Sequence, residues 1–244
     1  MQHCFVIPVY NHPHYIEALV AHLKPFQLPI ILVNDGSDAL CSALLHELKA
    51  QNKCVELVEH LHNQGKGQAV MSGLRHAHAL GFSHALQLDS DGQHDWQDVG
   101  KFLAISQQHP DAMVIGQPIF DASMPKKRLD GRYATHIWVW INSLSFDIKD
   151  SMCGFRVYPL AQTIQILNSA KFQPRMGFDS EILVRLKWAN VAFINVPTQV
   201  IYPEDGISHF NVWRDNLGMS QAHVRLLGGM LLRLPKLVSQ KMKG

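Results

Sequence analysis

The stretch "ALQLDSDGQHD", residues 85–95, ends an apolar run in Asp89 and Asp91, one residue apart, followed by Gly92, Gln93, His94 and Asp95. Two carboxylates so close repel, and each raises the other's proton affinity unless a positive charge stands between them. A divalent cation held by hard oxygen ligands relieves that repulsion. An oxygen-rich set of this kind suits Mg2+ or Mn2+ better than zinc. The plain alternative is a polar turn, since Asp, Ser and Gly are ordinary turn residues. A glycoside hydrolase is a poor fit, because its two carboxylates flank the scissile bond several ångströms apart and take different roles.

Three further stretches carry residues that could do chemistry. "NQGKGQA", residues 63–69, is not a Walker loop, because His60 stands where a glycine is needed and Gly67 where a hydroxyl should follow Lys66. A Gly-Lys-Gly turn entering a helix can still offer backbone N–H groups and an ammonium to a diphosphate. Its plain alternative is a flexible loop with a solvated lysine. "DSMCGFR", residues 150–156, brings Asp150 and Arg156, which could equally form a buried ion pair with each other. "MGFDSEILVRLKWA" reads as a helix starting near Phe178, with Asp179 and Glu181 in its first turn. Acids there also favour the helix dipole, so a structural role competes with an acceptor-side one.

The elements that must position these residues alternate along the chain. "CFVIPVY", "PIILVNDGS", "CVELVEH", "HALQLD" and "DAMVIGQP" read as strands. Helices are expected over about 14–24, 38–50, 66–80 and 96–108, with Gly81 closing the third. Strands alternating with helices imply a mostly parallel, Rossmann-like sheet with right-handed crossovers. Ligands of such sheets bind beyond the carboxyl ends of the strands. Tyr10 and Asn11, Asp35, and the Asp89–Asp91 pair fall at three such ends, which favours one crevice over three unrelated turns.

The totals narrow the possibilities. The 244 residues are 47% hydrophobic and 17% charged, as in a soluble globular α/β protein. A net charge of +2, without a long basic stripe in the first two thirds of the chain, argues against nucleic acid as partner. Cys4, Cys41, Cys54 and Cys153 form no C-x-x-C pair and read as reduced, packed thiols. His76 and His78, two apart, do not share a helix face, so they do not start a metal cluster. The absence of G-x-G-x-x-G after the first strand argues against a dehydrogenase. With neither a signal-like start nor an apolar run of about 18 residues, a cytoplasmic protein is expected, peripheral on the inner face of the membrane.

"VIPVYN", "VNDGSD", "NQGKGQAVMSGL", "LDSDGQHD" and "DSMCGFR" occur in an order that resembles family 2 glycosyltransferases, over roughly residues 3–210. The resemblance is to the branch of dolichyl- and polyprenyl-phosphate sugar synthases. It implies the glycosyltransferase A fold and a nucleotide-sugar donor. It implies that Pro8, Tyr10, Asn11 and Asp35 hold the nucleoside, with Lys66 near the base or diphosphate. It implies that Asp89, Ser90 and Asp91 form the D-x-D element, Asp91 being the more direct metal ligand. By the same resemblance Asp150 lies beside the acceptor, Arg156 lies near phosphate groups, and His209 and Arg214 belong to a segment folded over the donor. The chain departs from the family pattern at His12, usually acidic, and at Asn34, usually the first Asp of D-D-G-S.

The last stretch is of another kind. In 211–244, Trp213, Leu217, Val224, Leu227 and Leu231 recur at helical spacing, and Arg225, Arg233, Lys236, Lys241 and Lys243 supply cations. Such a helix suits an anionic membrane surface, although the same stripe could pack on the core or on a second subunit. Pro235 is expected to interrupt it. The sequence therefore predicts a catalytic domain over 1–210 and an amphipathic tail over 211–244. Its expected activity is metal-dependent, inverting transfer of one sugar from a nucleotide donor to a lipid phosphate, or to another lipid or glycan. The alternative is a non-catalytic protein that binds nucleotide sugars on the same fold.

Overall fold

The computed structural model describes residues 1–120, 126–200 and 211–243, and of 126–130 and 241–243 the backbone alone. Strand β1 (His3–Val9) is buried along its whole length, as a strand covered on both faces requires. It pairs in parallel with β2 (Ile30–Asn34), and β2 pairs in parallel with β3 (Val55–Glu59). On its other side β1 pairs in parallel with β4 (His84–Gln87). The sheet is completed by β5 (Met113–Phe120), β6 (Arg156–Pro159) and β7 (Phe193–Val200), in the order β3-β2-β1-β4-β6-β5-β7. Only β6 runs antiparallel to its neighbours, β4 and β5. The expected mostly parallel α/β sheet is thus present. The strand order reverses between β1 and β4, so the carboxyl ends of β1, β2 and β4 border one crevice.

Helices cover both faces. Helices α1 (Pro13–Leu23), α2 (Ala39–Gln51) and α4 (Val99–Gln108) pack with Phe5, Ile7, Ile30 and Leu32. Helices α3 (Lys66–Ala79), α6 (Leu160–Ser169) and α7 (Phe178–Trp188) pack with Val6, Ile31 and Val33 on the opposite face. The alternation Phe5/Val6/Ile7 that divides these clusters is the period of two of a strand. Between β5 and β6 lies α5 (Lys126–Ser143), where the sequence announced no element.

Two expectations about the last stretch are corrected. It forms one helix, α8 (Val212–Lys243), and Pro235 lies inside it without ending it. A proline removes one intrahelical hydrogen bond. Leu231 and Leu232, one turn before it, are exposed, so water can satisfy the freed carbonyl. Nor does the helix stand apart from the core expected over 1–210. Leu226, Met230 and Leu237 on its inner face join the same apolar cluster as Ile182 and Leu186 of α7.

At the amino ends of the strands, opposite the crevice, His3 of β1 stacks on His84 of β4 with ring centroids 4.9 Å apart. Nε2 of His3 lies 3.0 Å from the Ser106 hydroxyl, and His84 donates to the Pro110 carbonyl at 2.8 Å. Burial, and next the neighbouring His84, push the His3 pKa from 6.5 down to about 4. The neutral ring is therefore the folded form, and the unfolded chain binds the extra proton between those values. Its contribution, on the order of 3 kcal/mol, is complete above pH 6.5 and lost as pH falls towards 4. In urea titrations across that window, wild-type stability is expected to fall with pH and His3→Gln to show a shallower slope. Parallel slopes would remove His3 as the cause.

Candidate active site

Asp35 follows the last residue of β2 and is 2% exposed. Its Oδ1 accepts from the amide of Gln64 and Nδ1 of His60, and its Oδ2 from the amide of Gly65 and the side chain of Asn63. Both oxygens are saturated by the loop that leads into α3. His60 is fixed in turn by its contact with Ser72. Gly65 takes φ +106° there, a backbone angle natural to glycine. Asn11, expected to touch a nucleoside, accepts from the amide of Asp38 on its side-chain oxygen and donates its own backbone amide to the Ser37 hydroxyl. Asp35 and Asn11 thus shape the crevice wall by binding their own chain. Pro8 lies buried within β1, and Tyr10 is half-buried just beyond its end.

Lys66 opens α3, and its ammonium is the hub of a buried charge chain. It donates to Oδ2 of Asp89 at 2.8 Å and lies 3.1 Å from Oδ2 of Asp179. Asp179 pairs onward with Arg156 at 3.4 Å. Arg156 is fully buried, and its guanidinium donates to the carbonyls of Cys153, Ser151 and Asp179. Two cations thus answer two carboxylates. Burial works against the charge on Lys66, but Asp179 and then Asp89 outweigh it and keep the ammonium protonated. Burial likewise opposes the charge on Asp89, yet Lys66 and His94 hold its pKa far below the usual carboxylate range.

Asp89 and Asp91 therefore have different surroundings. The Asp89 carboxylate lies against the backbone of Gly154, where an added Cβ would stand 2.1 Å from Oδ2. That close approach explains the glycine in "MCGFR". Ser90 is buried between the two acids. Asp91 is half-buried at the crevice, and among the described residues its one hydrogen bond comes from the amide of Gln93. His94, quoted in the motif but given no role, places Nε2 3.6 Å from Asp89, and neither ring nitrogen makes a hydrogen bond within 3.5 Å among the described residues.

Asp150 and Arg156 do not pair with each other. Asp150 instead receives a two-pronged clamp from Arg132 of α5, both contacts 2.7 Å, and the amides of Met152 and Cys153. His136 lies 3.2 Å away and is oriented by Ser151. Burial opposes the charge, but His136 and Arg132 overcome it and hold the Asp150 pKa well below the carboxylate range. Arg132 and His136 escaped the sequence reading because no motif marks them; only the packing of α5 brings them here.

Glu181 is fully buried and bound away from the crevice, to Arg185, to the amide of Gln173 and to Arg225 of α8. The segment that Gln173 begins closes on the Lys66 loop through the Gln68 amide to Pro174 carbonyl bond and the Arg175–Asn63 bond. Arg214 is exposed on α8 beside the buried Asp215. His209 lies outside the described residues.

Removing Lys66 leaves Asp89 and Asp179 buried with one cation between them, whereas Asp91 carries no such burden. Lys66→Met is expected to cost about 3–5 kcal/mol and Asp91→Asn about 0.5 kcal/mol or less, read from urea midpoints. Equal midpoints for the two variants would refute the charge chain as a structural element.

Comparisons with known proteins agree with this architecture. The family model described as Glycosyl transferase family 2 matches residues 4–164. A UDP-N-acetylglucosamine–dolichyl-phosphate N-acetylglucosaminyltransferase of Methanococcus voltae is 26% identical, over 82% of this chain and 85% of its own. A dolichyl-phosphate beta-glucosyltransferase of Trichomonas vaginalis is also 26% identical, over 74% of this chain, which spans 60% of that relative's length. Among solved structures, glucosyl-3-phosphoglycerate synthase of Mycobacterium tuberculosis, in complex with Mn2+ and UDP-glucose, superposes with a TM-score of 0.63. That likeness covers 94% of this chain and 78% of the other at 17% identity, and it bears on the fold alone.

Proposed function

The chain belongs to glycosyl transferase family 2, and from that premise we propose that it transfers one sugar, with inversion, from a nucleoside-diphosphate donor to a lipid phosphate. The observation that carries the reading is the division of labour between Asp89 and Asp91. Lys66 neutralises Asp89, while Asp91 keeps hard oxygen at the crevice. Among the described residues no three His, Cys, Asp or Glu side chains form a metal cage. Asp91 therefore fits Mg2+ or Mn2+ in the manner of a cation bound by one or two carboxylates and completed by substrate phosphates. Such an ion would act as a Lewis acid on the departing diphosphate. Pro8, Tyr10 and the loop held by Asp35 form the wall against which a nucleoside would rest.

The surroundings of Asp150 support the choice of acceptor. A carboxylate saturated by Arg132 and two amides, with its proton affinity depressed, is a weak general base. A hydroxyl acceptor would need a strong one, whereas a phosphate monoester is largely anionic at pH 7. The names of the two sequence relatives, both acting on dolichyl phosphate, point the same way. We read Asp150 as the residue that positions Arg132 on the acceptor side. Among the described residues no helix is long and apolar enough to cross a membrane. The exposed stripe of α8 and its cations would instead hold the protein at a lipid surface.

Purified protein is expected to release nucleoside diphosphate from UDP- or GDP-sugars only with Mg2+ or Mn2+ and to glycosylate a polyprenyl phosphate. Asp91→Asn should lower turnover roughly 10²-fold or more, since a Lewis acid supplies several kcal/mol. Asp150→Asn should slow lipid-phosphate transfer without altering the shape of its pH profile. Metal-dependent turnover near wild type in Asp91→Asn would refute the assignment, and donor binding without any turnover would mark a non-catalytic binder.

A further inference from the structure

A buried imidazole with nothing to bond is out of place in a folded protein. The His94 side chain is 8% exposed, yet neither ring nitrogen makes a hydrogen bond among the described residues. The ring centroid lies 5.6 Å from that of Phe155, an apolar neighbour. By burial alone a phenylalanine would suit this place better.

The placement of the ring is nevertheless specific. Asp89 and His94 bracket the turn that carries Asp91, in which Gly92 takes φ +73°. The backbone of His94 is bridged to Val200 at the end of β7, which anchors the far side of the turn. The side chain folds back across the turn and sets Nε2 3.6 Å from Oδ2 of Asp89. That is the oxygen to which Lys66 donates at 2.8 Å. The other oxygen, Oδ1, receives a longer contact of 3.3 Å from the side chain of Gln87. Asp89 has no room to withdraw towards Gly154, whose backbone lies against its carboxylate. One oxygen of Asp89 thus has one donor bonded to it and a second just outside the usual N–H···O range of about 2.7–3.2 Å.

Resting on the reading of the crevice as a site for a nucleoside diphosphate and its cation, we propose that His94 is a positioning residue that takes over Asp89 when the donor engages Lys66. The Lys66 side chain is 20% exposed and is already shared between Asp89 and Asp179. A diphosphate arriving at the crevice brings negative charge that competes with both for the ammonium. What Asp89 loses there, His94 replaces by donating from Nε2 to Oδ2. Hydrogen bonds at catalytic sites are often long before substrate binds and shorten in the complex. Closing this one draws the two ends of the turn together and fixes Asp91 between them. His94 touches neither sugar nor cation and acts through Asp89 alone.

Two variants separate this role from that of a ring that merely fills space. His94→Phe keeps the outline of the ring and removes its nitrogens, whereas His94→Gln keeps an N–H donor near the place of Nε2. The full chain and both variants are melted alone and with UDP or GDP plus Mn2+, and nucleotide affinity is measured by calorimetric titration. Without ligand, His94→Phe is expected to melt at or above wild type, since it replaces a buried polar ring that has no hydrogen-bond partner. Its affinity for nucleotide with Mn2+ should fall roughly tenfold, the worth of one hydrogen bond to a charged group. His94→Gln should recover most of that loss. A structural role would instead lower the melting temperature of His94→Phe without ligand, and that outcome overturns the proposal. So does wild-type nucleotide affinity in His94→Phe, or an affinity in His94→Gln as low as in His94→Phe. If wild type gains no stability from either nucleotide with Mn2+, the donor reading of the crevice fails and this inference with it.

Discussion

Charge neutralisation at the reversal of strand order is the constraint on which the site rests. Lys66, Asp89, Asp179 and Arg156 come from the start of α3, the end of β4, the first turn of α7 and the start of β6. In a dry interior each charge must be answered by another. Satisfying these four together sets where the elements stand relative to one another. Asp89 is spent in this way, and that leaves Asp91 as the acid of the pair without a cation beside it among the described residues. A pair of carboxylates that is symmetrical in sequence becomes asymmetrical in chemistry because only one is within reach of an ammonium.

The first turn of α7 extends the same logic outward. Asp179 and Glu181, two residues apart, point to opposite sides of the helix. Asp179 serves the charge chain, while Glu181 binds Arg225 of α8 and the amide of Gln173. The segment beginning at Gln173 then closes on the loop that Asp35 holds. A continuous path of hydrogen bonds thus joins α8 to the loop that borders the crevice. The last helix is therefore part of the catalytic body on its inner face, whatever its outer face meets.

Among its described side chains helix α5 buries mostly polar groups and exposes Tyr133, Ile137 and Ile141, the reverse of the usual economy of a folded protein, whereas α8 buries Met219, Leu226, Met230 and Leu237 beside Asp215 and His223. The buried polar groups of α5 are occupied at the site or between the two helices, and its exposed apolar ones are left to solvent. On α5 the inward-facing Arg132 and His136 fix Asp150.

The sequence by itself determined the alternating elements, the mostly parallel sheet, the family resemblance, the placement of Asp35, Asp89 and Asp91 at strand ends and that of Lys66 at a helix start. These are local or periodic properties, written into turn residues and hydrophobic spacing. It also marked Trp213, Leu217, Val224 and Leu231 on the outer side of α8, although Leu227, read into the same stripe, packs against the core. It did not reveal β6, only four residues long, or α5, whose exposed apolar face defeats the usual inference from hydrophobic to buried. Nor could it say which ions pair. Asp150 answers Arg132, eighteen positions away, rather than Arg156, and Lys66 reaches Asp179 across more than a hundred residues. Pro235 likewise stays helical because its surroundings are wet. Partner choice and burial depend on which elements meet in three dimensions, so only the tertiary structure decided them.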